Sequence, residues 1–79
     1  MAQKMHQYFK KEVQEATILV RIDPETMEGL ELIILKSGEV QKTEREFDET
    51  IYEDLEFDEF NPGNALEFNL YLKGLTKSD

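Results

Sequence analysis

The chain has 79 residues, no cysteine, one histidine and a formal net charge of -9, with 39% hydrophobic and 34% charged residues. That length holds one small domain and that apolar content is enough to fold it, while the missing cysteines exclude a disulfide framework and thiolate metal sites. The negative charge opposes phosphate backbones and anionic lipid surfaces, so nucleic acid and membranes are not expected partners, and a cytoplasmic setting is the default.

Residues 1–12 read as an N-terminal arm. Met5, Tyr8, Phe9 and Val13 share a helical face, although His6, Tyr8 and Lys10 also alternate as a strand would. Residues 16–22 are apolar and β-branched and predict the first secure strand, with Ile18, Val20 and Ile22 on one side and Leu19 and Arg21 on the other. Asp23 and Pro24 end it, and a loop closed by Gly29 follows. Residues 30–36 form a second strand with apolar side chains on both faces: Leu30, Leu32 and Ile34 on one, Ile33 and Leu35 on the other. Ser37 and Gly38 supply a tight turn. Residues 39–46 return as a polar strand whose charges suit a sheet edge and discourage pairing with another chain.

The acidic stretch comes next. Residues 44–59 carry nine carboxylates against Arg45 alone, with Phe47, Ile51, Tyr52, Leu55 and Phe57 between them. This interleaving predicts a helix with one wet, negative side, starting near residue 49 under an Asp48 or Thr50 cap and stopping near Glu56. Asn61 to Asn64 carry Pro and Gly at the central positions of a type II turn. Leu66, Phe68, Leu70 and Leu72 then alternate with Ala65, Glu67, Asn69 and Tyr71, predicting a half-buried last strand, and residues 74–79 form a polar tail.

The expected architecture is one α+β domain over residues 1–79, a mainly antiparallel sheet of about four strands in β-β-β-α-β order with the acidic helix on one face. Such a helix covers one side only. Leu19, Ile33, Leu35 and Tyr71 would then gather on the other side as an apolar patch needing a cover, either the arm or a second molecule.

No chemistry is legible. The acidic residues read as a solvated face, and His6 alone supports neither a metal centre nor a nucleophilic triad. Residues 58–63 lack side-chain oxygens at Phe60 and Pro62, where an EF-hand loop needs them, and the isolated glycines make no phosphate cradle. No catalytic residue, metal, cofactor or small-molecule substrate is therefore expected. The leading expectation is a non-enzymatic interaction module that binds a protein or forms a homodimer through Leu19, Ile33, Leu35 and Tyr71. The alternative is an acidic inhibitor or nucleic-acid mimic that presents Glu49, Glu53, Glu56 and Asp58 to a basic protein. Among the aromatics, Phe57 and Tyr71 stand apart from the core pattern as candidate anchors.

Overall fold

The computed structural model describes residues 6–76, with side chains through residue 73. It is an α+β fold in three layers, helix on sheet on helix. Strands β1 (Gln7–Glu12), β2 (Ala16–Ile22), β3 (Glu28–Leu35) and β4 (Val40–Glu46) form an antiparallel meander. Helix α1 (Ile51–Phe57), the two-residue strand β5 (Asn61–Pro62) and helix α2 (Ala65–Thr76) follow, and the sheet order is β4-β3-β2-β1-β5.

Two expectations change. The arm is a strand: Gln7 to Glu12 pair with β2 along their whole length, which sends Tyr8 to one face and Phe9 to the other. Met5 and the residues before it lie outside the described region. The last segment is a helix and not a strand. Its composition explains this, because Ala65, Glu67, Lys73 and four leucines favour helix and no β-branched residue occurs before Thr76. Asn64 begins it, accepting the Glu67 N–H at 3.1 Å through Oδ1 and the Phe68 N–H at 3.0 Å through its carbonyl. The helix continues to Thr76, so the expected polar tail starts inside it, and residues 77–79 lie outside the described region.

Register also corrects the assignment of faces. Leu19 is opposite Leu32, Arg21 opposite Leu30 and Thr17 opposite Ile34, so the apolar side chains of β3 at 30, 32 and 34 share a face with Leu19. That face is covered by α2: Leu19, Leu30, Leu32 and Phe68 are buried together, flanked by Tyr8, Ile34, Val40 and Leu72. On the opposite face Val20, Ile22 and Leu55 are buried, flanked by Phe9, Phe47, Ile51, Tyr52 and Phe60. The second cover that the sheet requires is therefore the chain's own C-terminal helix. Lys10 on β1 ties α2 down at its edge, its Nζ 3.1 Å from Glu67 Oε2, and that hydrogen bond raises the Lys10 pKa above its ordinary value.

The turns follow backbone chemistry. Asp23 Oδ1 accepts the Glu25 N–H at 2.9 Å, and the Met27 N–H bonds to the Asp23 carbonyl at 2.7 Å with Met27 left-handed at φ 64°. The loop thus closes at Met27 and not at Gly29, which lies inside β3 beneath the Phe47 ring. Gly38 takes φ 98° as expected of the β3–β4 turn. Gly63 has no positive φ, so the expected type II turn does not form, and Asn61 and Pro62 pair with β1 instead.

Candidate functional site

Asp48 positions the start of α1. Its Oδ1 accepts the Thr50 N–H at 3.0 Å and also the Thr50 hydroxyl, and these two bonds hold the Asp48 carboxyl below the usual aspartate range. Of the two caps open in the sequence, Thr50 holds the N-cap position but its side chain makes no cap bond, and Asp48 supplies the side-chain acceptor just before it. The helix ends in a Schellman arrangement: the Phe60 N–H donates to the Leu55 carbonyl at 2.9 Å and the Glu59 N–H to the Glu56 carbonyl at 3.0 Å. Glu59 occupies the left-handed position at φ 65°, where glycine is the unstrained residue. Glu59→Gly is expected to stabilise the fold by about 1 kcal/mol, also removing a negative charge from the negative end of the helix. A urea midpoint no higher than that of the parent would contradict this account.

With both ends fixed, α1 turns Ile51, Tyr52 and Leu55 toward the sheet and Glu53, Glu56 and Phe57 away from it. Phe57 is 87% exposed, the most exposed large apolar side chain among the described residues. It lines a concavity of about 300 Å³ together with Val20, Phe47, Ile51, Leu55 and Phe60, and Glu31, Asp54, Asp58 and the cation Arg45 also bound it. Glu49 lies in the turn before the helix and Asp58 is its C-cap residue. All four predicted acidic residues are thus exposed, with Glu53 and Glu56 on the outward arc that carries Phe57.

The predicted apolar quartet does not assemble. Leu19 is 2% exposed beneath α2, whereas Ile33 and Leu35 point to the α1 side of the sheet, opposite Ile18 and Ala16, and are half-buried. Tyr71 lies on α2 and is 37% exposed. The residues that α2 does present outward are Leu66 and Leu70, 69% and 62% exposed, one helical turn apart and opposite the buried Phe68. A period of two over this segment would place both in the core. The spacing of four between Leu66 and Leu70, with Asn64 and Glu67 as a cap pair, is the signal that would have found them.

A larger open basin of about 480 Å³ lies where β2, β3 and β4 end, bounded by His6, Arg21, Asp23, Glu28, Glu44 and Arg45 among others. Asp23 is its buried carboxylate, and the bond it accepts from Glu25 shapes the β2–β3 turn. Among the described residues no three His, Asp or Glu side chains converge to hold a metal ion, and no helix is long and apolar enough to cross a membrane. No protein-family model matches the sequence, and neither curated proteins nor solved structures include one similar to it.

Proposed function

We propose that this protein is a non-catalytic binding module that docks a basic protein segment on the outward side of α1, with Phe57 as the apolar anchor. The observation that carries this reading is the 87% exposure of Phe57 among Glu53, Glu56 and Asp58, beside a concavity of mixed apolar and charged lining. Leaving an aromatic ring in water forgoes the area its burial would remove from solvent, and such rings are the side chains that interfaces most often bury as anchors. The carboxylates around it, in a molecule of net charge -9, speed the approach of a cation and repel acidic competitors. The partner is therefore a lysine- or arginine-rich segment with an apolar residue that reaches the concavity. A cytoplasmic setting fits the cysteine-free composition.

The test is a fluorescence-anisotropy titration with a labelled amphipathic peptide of lysine and leucine, at about 50 mM and about 500 mM salt. Binding should weaken with salt, and Phe57→Ser and Glu53→Lys should each raise the dissociation constant roughly tenfold. Leu66→Ser on α2 should leave it unchanged. If Phe57→Ser binds like the parent, attraction to the peptide is general electrostatics and the anchor reading is wrong.

A further inference from the structure

The sheet ends differently at its two edges. The β5 edge is two residues long and closes at Pro62, which has no N–H to offer. The β4 edge is seven residues long, and among the described residues nothing pairs with its outer side. All of β4 after Val40 is exposed. An open edge of this length presents a row of unpaired backbone donors and acceptors to solvent.

The charges of β4 are arranged about its centre. Lys42 and Arg45 offset Glu44 and Glu46, so the strand is neutral within a molecule of net charge -9. It is a place where two copies can approach without meeting the net repulsion head on. Thr43 is the middle residue. Two antiparallel copies in full overlap place Thr43 against Thr43, Lys42 against Glu44 twice, and Gln41 against Arg45 twice. Sliding the pair by two residues one way sets Lys42 against Lys42, and the other way sets Glu44 against Glu44 while opposing Lys42 to Glu46 twice, so only the full overlap has charge matches and no like-charge opposition. Sliding by one residue opposes side chains that belong to different faces of the sheet. The register of greatest overlap is therefore also the one in which charges match.

Neither member of the matched pair is occupied among the described residues. Arg45 is engaged, with Nη1 3.4 Å from Glu31 and its guanidinium over the Phe47 ring, whereas Lys42 and Glu44 have no ion-pair partner among the described residues. Lys42, opposite Leu32, and Glu44, opposite Leu30, both lie on the α2 side of the sheet, so the two charge pairs would form on one face of a continuous sheet. We infer that β4 pairs antiparallel with β4 of a second copy of this chain about a two-fold axis at Thr43, joining two five-stranded sheets into one of ten. The charged edge then selects a register instead of forbidding contact. This edge shares Arg45 with the concavity beside α1, but Lys42 and Glu44 lie on the opposite face of the sheet, so substitutions there test the pairing apart from the α1 docking surface.

Sedimentation equilibrium up to about 1 mM protein tests it, with Lys42→Glu, Glu44→Lys and the double exchange Lys42→Glu/Glu44→Lys. The parent should approach twice 9.3 kDa. Each single reversal creates two like-charge oppositions and should weaken association roughly tenfold or more, while the double exchange, which restores complementarity with signs swapped, should recover it. All three variants should retain the parent circular dichroism, since both side chains are exposed. A monomeric parent across that range overturns the proposal. So does a dimer indifferent to the single reversals, or a double exchange that behaves like the singles.

Discussion

Phe68→Ala is expected to lose about 3–5 kcal/mol of folding stability. Phe68 is 1% exposed and is the residue through which α2 enters the core, packed with Leu19, Leu30 and Leu32. Its ring meets Tyr8 edge-on at 5.5 Å between centroids, and the Arg21 guanidinium lies 5.3 Å from its centre. Truncation removes these contacts together and leaves a cavity between helix and sheet. A domain of this length holds roughly 4–12 kcal/mol in total, so the loss is a large fraction of it and reaches the unfolding midpoint without denaturant at the lower end of that range. Leu70→Ala, two residues on, should change stability by no more than about 0.5 kcal/mol because Leu70 faces water. The pair distinguishes helix from strand. A strand would place Phe68 and Leu70 on the same face, and equal losses in urea unfolding would mean that α2 does not dock as described.

Gly63→Ala has the next largest expected effect. A Cβ on Gly63 would lie 2.8 Å from the Phe9 nitrogen and 2.9 Å from the Tyr8 carbonyl carbon, closer than such atoms approach. Both neighbours are backbone of β1, so relief requires moving a strand and not turning a side chain. The Gly63 N–H also donates to the Tyr8 carbonyl at 2.7 Å, a bond the added methyl would force open. We expect a loss of about 1–3 kcal/mol, with faster amide exchange at Gly63 and weakened entry of the chain into α2. Gly38 is the contrast: nothing lies within 4 Å of an added Cβ there, and alanine would suffer only from φ 98°. If Gly63→Ala matches the parent in unfolding and exchange, β5 is not held against β1 as described.

Much of the sheet is legible in the residues. The span 16–22 reads as a strand and is one, the turn at Gly38 follows from its backbone freedom, and the acidic helix is found close to its expected bounds. These readings succeed because each rests on a local cause: β-branching, a glycine, or a carboxylate able to accept N–H bonds at a helix start. The segment after Asn64 misleads because Leu66, Phe68, Leu70 and Leu72 alternate as a strand would, whereas on a helix the pairs 66/70 and 68/72 fall on opposite sides. Alternation in a leucine-rich run carries less information than the absence of β-branched residues and the presence of a cap. Taken as a strand, that segment leaves one face of the sheet uncovered and groups Leu19, Ile33, Leu35 and Tyr71 as a surface. Once α2 lies over Leu19, that surface has no basis, and the most outward apolar residues are Phe57, Leu66 and Leu70, with Val13 and Tyr71 less exposed.

By itself the sequence determined that the chain carries apolar residues on both sides of its central strands, that its acidic stretch is helical with a wet side, and that Phe57 falls on that side. Each is a property of spacing along one segment. Only the tertiary structure decided which apolar residues meet, because the β2–β3 register sets Leu32 beside Leu19 and not beside Ile18, and a slip of one residue would reverse every assignment. It also decided that the second face is closed by α2, since burying Phe68 and Leu72 while Leu66 and Leu70 stay in water is possible only at the helical period, and the energy of that burial exists only once the sheet is there to receive them.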